Sequence, residues 1–175
     1  MSKTKKVFIA VSVIFIIAIF ICGAIININK YKVYAVDGPS MAPTLPAGQH
    51  ILTTGKVASL KRYDVIIYNR VDSQEFGTSA PKKLIKRIVA LPGERITIKD
   101  NKILVFNSGN PSGFDPDAGQ TYLAAGTQTP GTIDEAVPQG SYFVLGDNRT
   151  ASLDSRMYGP IKQSDILSKE VRKWY

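Results

Sequence analysis

Two short stretches of the sequence carry residues that could perform nucleophilic chemistry, and Ser40 lies in the first, "VDGPSMAPTL". A serine hydroxyl needs a base to become a nucleophile, and the common base is a histidine oriented by a carboxylate. His50 is the only histidine and follows Ser40 by ten residues. In hydrolases with a Gly-x-Ser-x-Gly turn, however, the histidine follows the acid far downstream. Ala42 also stands where that turn has its second glycine. The pattern therefore argues against a Ser-His-Asp triad.

The second stretch, "KKLIKRIVAL", contains a lysine that could act as the base. Burial disfavours the charged amine and lowers its pKa from about 10.4 toward neutrality. Period-two alternation in a strand would put four residues on one face: Leu84, Lys86, Ile88 and Ala90. Lys86 would then have apolar neighbours on both sides. An edge-strand lysine that discourages aggregation fits the same pattern, and the pattern taken alone favours that interpretation.

A third stretch, "GDNRTASLDSRMYG", places acids, amides and arginines around small hydroxyls at residues 146–159. Gly-Asp-Asn is ordinary turn chemistry, so a solvated turn is one interpretation. Alternatively, bidentate Arg–Asp pairs stiffen the loop and leave a hydroxyl to orient a neutral lysine. Composition does not choose between them. A separate Ser-x-x-Lys match at Ser79–Lys82 lacks the Ser-Asp-Asn and Lys-Thr-Gly elements of penicillin-binding enzymes, and it is disfavoured.

An apolar run precedes these stretches in the chain. Residues 7–26 are twenty consecutive residues without a charge. About 20 apolar helical residues span a bilayer, so the run predicts a transmembrane anchor preceded by a cytoplasmic tail at residues 1–6. A cleaved signal peptide is the alternative, but the run exceeds its usual length of about 7–15 residues and "NINKYKVY" offers no small-x-small site. Lysines are slightly more numerous before the run: Lys3, Lys5 and Lys6 against Lys30 and Lys32. This predicts a single-pass protein of the cell membrane, with its N-terminus inside and the remainder outside.

The charge and cysteine content limit the partners and cofactors. The chain carries a net charge of +8, of which +5 remains after the three lysines of the tail are removed. Such a basic surface attracts anionic lipid headgroups, and the outward topology argues against nucleic acid. Cys22, the only cysteine, lies inside the apolar run. We therefore expect no disulfide in the outer domain, no thiolate site there and no metal site with two imidazoles.

The rest of the chain, residues 27–175, predicts a mainly β domain of antiparallel sheets. Short β-branched runs such as "KYKVYAV", "YDVIIY" and "SYFVL" are typical of strands. "RITIKDNKILVF" predicts a hairpin around Asp100-Asn101. Residues 107–140 are rich in Gly, Pro, Ser and Asp and predict a short irregular insertion. "DILSKEVRKWY" at the end fits either an amphipathic helical turn or a closing strand.

Taken together, these stretches resemble type I signal peptidases, the membrane-anchored Ser-Lys proteases that remove signal peptides from exported preproteins. The resemblance rests on the order and spacing of several pieces after the apolar run: "GPSMAPTL", "RYDVIIY", "KRIVALPGE" and "VPQGSYFVLGDNRTASLDSR". It implies preproteins with small-x-small cleavage sites as substrates, membrane lipid as the surroundings, no cofactor, no nucleic acid and no required oligomer.

The same resemblance implies roles for individual residues. It makes Ser40 the nucleophile and Lys86 the general base, with Ser152 hydrogen-bonded to the lysine. Met41 is implied to pack beside the substrate groove. Two salt bridges that stiffen the site are also implied: Arg87–Asp147 and Asp154–Arg156. Some members carry a serine two residues before the nucleophile, where this chain has Gly38, so the predicted oxyanion donor is the backbone N–H of Ser40.

Two other functions remain as alternatives to this protease. The self-cleaving repressors share a Gly-x-Ser-Met segment and a downstream lysine, but they would need a DNA-binding domain in place of the apolar run. A membrane-anchored β-domain that only binds partners, or an inactive homologue of the protease, is the non-enzyme alternative. A Ser40-dependent cut in a preprotein would distinguish the protease from both.

Overall fold

The structure, a computed structural model, describes residues 3–55, 59–71, 77 and 80–174. The chain divides into two compact units, Met1–Lys32 and Val33–Tyr175. The first unit contains helix α1, Lys3–Lys30, which includes the run predicted as an anchor. Within the described part of the chain, no helix meets both the length and the apolarity needed to cross a membrane. The transmembrane anchor at residues 7–26 therefore stays a prediction.

The β unit confirms the prediction of a mainly β domain built from antiparallel sheets. In the described residues eleven strands form two sheets, in the orders β1-β2-β11-β3-β4-β9-β10 and β7-β6-β5-β8. The strands are β1 Tyr31–Ala35, β2 His50–Thr54, β3 Val65–Arg70, β4 Lys82–Ala90, β5 Arg95–Lys99, β6 Lys102–Asn107, β7 Asn110–Phe114, β8 Ile133–Ala136, β9 Ser141–Leu145, β10 Ile161–Lys162 and β11 Ile166–Trp174. A short helix, α2, spans Ser155–Tyr158, and a 3-10 turn spans Gln163–Asp165.

Three local predictions have clear outcomes. The hairpin is confirmed: Asp100 and Asn101 join β5 to β6 with φ of 52° and 61°, as a two-residue turn with left-handed central residues requires. The C-terminal stretch is a strand, and β11 pairs with both β2 and β3. The insertion at 107–140 is less irregular than predicted, because β7 and β8 lie within it and pair with β6 and β5. Pairing in the sheet overrides the turn-like composition of these segments.

Strand β4 runs through the interior and packs against three apolar clusters. Leu84 and Ile88 contact one cluster, as their predicted common face requires, and Ile85 contacts a second. Ala90 does not share that face: it joins Val89 in the third cluster. A register shift between Ile88 and Ala90 interrupts the alternation, as a β-bulge does. The predicted face is therefore right up to Ile88 and wrong at Ala90.

Candidate active site

Buried side chains that follow Ser40 anchor the turn that carries it to the apolar core. Met41 is 1% exposed and Leu45 is fully buried, and both pack in the cluster that Ile85 contacts. Backbone hydrogen bonds close the segment, from Ala42 N–H to the Pro39 carbonyl at 3.0 Å and from Leu45 N–H to the Met41 carbonyl at 2.8 Å. Ser40 itself is half-buried. These contacts fix the turn against the core and present the serine hydroxyl at its surface.

The amine of Lys86 lies against this hydroxyl. Nζ donates hydrogen bonds to Ser40 Oγ at 2.9 Å and to the Ile85 carbonyl at 3.0 Å. In the described residues β9 pairs with β4 only from Arg87 to Ala90. Lys86 therefore stands where β4 leaves β9, and its long side chain reaches the turn there. The structure thus brings together the two residues that the sequence analysis made nucleophile and base.

The surroundings of Lys86 change its protonation. The residue is 3% exposed, and burial lowers the pKa of its amine to about 8. The carboxylates of Asp154 and Asp147 oppose this shift by favouring the ammonium, whereas Arg156 and Lys82 favour the neutral amine. Desolvation is the largest of these effects. With this pKa, about a tenth of the amine is neutral at pH 7, and this neutral form is the one that a general base requires.

The two predicted salt bridges are present beside the lysine. Arg87 Nε and Nη2 donate to the Asp147 carboxylate at 2.8 and 2.6 Å. Arg156 Nε and Nη2 donate to the Asp154 carboxylate at 2.8 and 2.9 Å. Asp154 also caps α2 and accepts the Gly146 N–H at 3.0 Å. These bidentate pairs fix the loop that follows β9.

Ser152 lies in this loop but does not make its predicted hydrogen bond. Its Oγ is buried and has no hydrogen-bond partner among the described residues. The hydroxyl packs against Gly146, where an added Cβ would lie 2.2 Å from Ser152 Oγ and 2.5 Å from the Ser40 carbonyl oxygen. Only glycine can occupy position 146 without displacing one of these groups. The Asn148 N–H completes the contact by donating to the Ser40 carbonyl at 3.0 Å.

Several supporting residues were not identified from the sequence. Arg149, a buried residue of the same loop, forms an ion pair with Asp117 of the insertion and donates from Nε to the Gly146 carbonyl at 3.0 Å. The Tyr122 ring lies 4.0 Å from the Arg87 guanidinium carbon. The sequence offered two signals for this ion pair, the arginine of "GDNR" and the acids of "FDPDAG". They did not specify the partners, because these residues are distant along the chain.

A cleft of about 320 Å³ opens beside the two central residues. Ser40, Met41 and Lys86 line it together with the end of β1 and the first half of β4. Met41 is thus a core residue that also borders the cleft, consistent with its predicted place. His50 is exposed at the start of β2. In the alternative Ser-x-x-Lys pair, Ser79 lies outside the described residues.

Comparison with known proteins identifies the family of this chain. The sequence matches the family described as signal peptidase, peptidase S26, over residues 5–175. The chain belongs to this family. Signal peptidase I V of Bacillus subtilis (strain 168) is 33% identical over 144 residues, which cover 77% of this chain and 80% of that protein. Signal peptidase I U of the same strain is 30% identical over 174 residues, or 97% of this chain and 88% of that protein.

A signal peptidase I of Enterococcus faecalis V583 is a structural neighbour. Its crystal structure has a TM-score of 0.45 and 25% sequence identity to this chain, and the match covers 63% of this chain and 96% of that one. As a member of the signal peptidase family, the protein is a serine peptidase that hydrolyses peptide bonds and removes signal peptides from preproteins.

Proposed function

We propose that Ser40 and Lys86 form the catalytic dyad of this signal peptidase. Neutral Lys86 accepts the hydroxyl proton as Ser40 Oγ bonds to the carbonyl carbon of the scissile peptide bond. The lysine ammonium then donates that proton to the leaving amine as the C–N bond breaks, and an acyl-enzyme remains. In the second half, Lys86 takes a proton from the attacking water and returns it to Ser40 Oγ as the ester breaks.

One observation carries this proposal: a lysine 3% exposed to solvent lies 2.9 Å from a serine hydroxyl. A buried amine with no carboxylate bonded to it loses its proton more easily than a surface amine. Here the two acids that act on Lys86, Asp154 and Asp147, are each held by an arginine. When the ammonium loses its proton, the Lys86 lone pair can accept the Ser40 proton across the existing hydrogen bond.

The oxyanion that forms on the carbonyl needs hydrogen-bond donors. Gly38 lines the cleft but has no side chain to donate. Among the described residues, the backbone N–H of Ser40 donates to no other group. We assign this N–H to the oxyanion, since a fixed backbone donor stabilises charge that develops in the transition state.

The substrate is proposed to bind as an extended strand along β4. The N–H of Ile88 donates to the backbone carbonyl of Asp64 at 2.9 Å, and Asp64 directly precedes β3. Because backbone groups alternate in direction along an antiparallel strand, those of Lys83 and Ile85 point away from β3. Both residues line the cleft. A peptide can hydrogen-bond to this edge, and its selection for small-x-small cleavage regions would come from shallow pockets beside it.

We further propose that residues 7–26 anchor the protein in the cell membrane, with residues 1–6 inside and residues 27–175 outside. The run of twenty uncharged residues supports the anchor, and the slight excess of lysines before it supports the orientation. An anchored enzyme meets a membrane-bound preprotein at a raised local concentration. The net charge of +5 after the tail would favour anionic lipid headgroups near the enzyme.

The dyad is tested with purified full-length protein in detergent and one preprotein. Ser40→Ala and Lys86→Arg should fold and leave the preprotein intact, because alanine has no nucleophile and guanidinium does not give up its proton in this range. His50→Ala is the matched control and should cleave normally, since His50 is exposed on β2. Cleavage by Ser40→Ala would refute the nucleophile, and turnover by Lys86→Arg would refute the base.

A further inference from the structure

A second cavity, of about 460 Å³, lies beside the Ser40 turn and has no part in the dyad. Ala42 and Pro43 line it from the turn, and Ala124, Gly126 and Gln128 line it from the insertion. Its volume is within the range of ligand-binding pockets in proteins.

The turn that carries Ser40 borders both this cavity and the cleft described above. Ser40 and Met41 line the cleft, whereas the next two residues, Ala42 and Pro43, line the cavity. Asn148 also lines the cavity, and its N–H donates to the Ser40 carbonyl at 3.0 Å. A polypeptide with its scissile carbonyl on Ser40 extends in two directions. If its acyl half lies along the edge of β4, the half that leaves as the amine extends toward the cavity.

The lining of the cavity suits a polypeptide of variable sequence. Its charged members, Asp147 and Arg149, are already paired with Arg87 and Asp117. The remaining side chains are small or uncharged, as in Ala42, Ala124 and Thr150. Such walls offer hydrogen bonds and space without requiring one particular charge on the ligand.

The insertion wall is also fixed to the loop that carries the supporting residues. Asp117 holds Arg149, and the Tyr122 ring covers the guanidinium of Arg87. The Tyr122 carbonyl accepts the Thr44 hydroxyl at 2.9 Å, which links the insertion to the turn of the nucleophile. A wall held at these points is formed before substrate arrives, so little conformational freedom is lost on binding.

From these observations we infer that the cavity binds the first residues of the mature chain, those that follow the scissile bond. This inference rests on the proposed dyad and β4 groove, and it assigns Ala124, Gly126, Thr127 and Gln128 of the insertion to substrate binding. The enzyme would hold an extended stretch on both sides of Ser40 and release the second stretch with the leaving amine.

The test fills the cavity and compares two substrates in full-length protein. Ala124→Trp places an indole in the cavity, and Ala125→Trp is the matched control, because Ala125 is exposed and does not line it. One substrate is a preprotein with its mature chain. The other is a peptide of the same cleavage region in which a chromogenic amide is the only group after the scissile bond.

We expect Ala124→Trp to lower kcat/KM for the preprotein by roughly tenfold, the effect of losing one or two hydrogen bonds in the complex. The chromogenic peptide should be cut at an unchanged rate, and Ala125→Trp should cut both substrates normally. Gln128→Trp repeats the test from a neighbouring lining position, and the melting temperature of each variant establishes that it folds.

Equal effects of the filling variants on the two substrates, or no effect on either, would overturn the inference. Failure of the dyad would appear differently, since Ser40→Ala would then cut both substrates. The ratio of the two kcat/KM values therefore reports on the cavity alone.

Discussion

At the scale of single residues, the amine of Lys86 combines contact with a hydroxyl and near-complete removal from water. In an exposed lysine the ammonium is stable and cannot accept a proton at neutral pH. Burial lowers the pKa of Lys86 to about 8, although Asp154 and Asp147 stabilise the charged form. The same burial makes the folded protein less stable when the amine is charged. Both effects can be measured.

The activity should depend on pH with a midpoint near the Lys86 pKa of about 8. Only the neutral amine accepts the Ser40 proton, so kcat/KM should fall about tenfold for each pH unit below the midpoint. The measurement is kcat/KM for a short uncharged peptide at pH values on both sides of the midpoint. A profile that is flat through this region would exclude Lys86 as the titrating base.

Replacement of Lys86 by methionine should stabilise the protein while abolishing activity. The pKa of this lysine is about 8 in the folded protein, against an ordinary value of 10.5. The unfolded chain thus binds more protons between these values, so wild-type stability rises with pH there. Lys86→Met should therefore gain most below pH 8, on the order of 1–3 kcal/mol after the lost hydrogen bonds are allowed for. The gain should disappear above about pH 10.5.

The free energy of unfolding from urea titrations at neutral and high pH measures this gain. Lys83→Met is the control, because Lys83 is exposed on the same strand and should show little change. A loss of stability in Lys86→Met at neutral pH would mean that the hydrogen bonds of the amine outweigh its desolvation.

At the scale of elements, the site depends on the close approach of the Ser40 turn and the loop after β9. Gly146 lies at this contact, directly after β9, and both Ser152 Oγ and the Ser40 carbonyl lie within 3 Å of the position of a Cβ there. Asn148 and Asp154 hydrogen-bond across the same region, to the Ser40 carbonyl and the Gly146 N–H. The separation of these two segments sets the place of the nucleophile.

Gly146→Ala should therefore impair catalysis through geometry alone. The added methyl must displace Ser152 or the backbone of Ser40, and a displacement of about 1 Å in an active site can lower the rate about 100-fold. Gly55→Ala is the control, since the nearest atom to a Cβ there is 3.9 Å away. We expect a large fall in kcat and a lower melting temperature only for Gly146→Ala. Wild-type kcat in that variant would show that the contact is unimportant.

At the scale of the whole molecule, all the site residues lie in the second of the two compact units, Val33–Tyr175. The first unit consists mainly of α1. The dyad, both supporting salt bridges and the insertion contacts are formed by residues of this second unit. The proposed role of the helix is to bring the enzyme to membrane-bound substrate.

A chain that begins at Tyr31 should separate these roles. It should cleave a soluble peptide with kcat/KM close to that of the full-length protein, because its active site is complete. It should cleave a preprotein embedded in vesicles more slowly, since the gain in local concentration is lost. The measurement is the ratio of the two rates for both chains. An equal loss on the two substrates would mean that the helix supports the active site itself.

The sequence predicted features that depend on neighbouring residues. Alternation and turn chemistry indicated the Asp100-Asn101 hairpin, most strands and the antiparallel β class, and the order of motifs indicated Ser40 and Lys86. The sequence failed where pairing with another strand, near or distant along the chain, decides the structure. The segment of β7 has a turn-like composition, but it pairs with β6 as a strand. The predicted face of β4 ends at the bulge before Ala90.

By itself the sequence determined the residue types that could react, since a single histidine ten residues from Ser40 leaves a lysine as the available base. Only the tertiary structure showed that Lys86 is removed from water and which groups surround it. Ser40 and Lys86 are 46 positions apart, and Arg149 and Asp117 are 32 apart. Desolvation, hydrogen-bond geometry and the space at Gly146 depend on atoms brought together by folding, so local pattern carries little information about them.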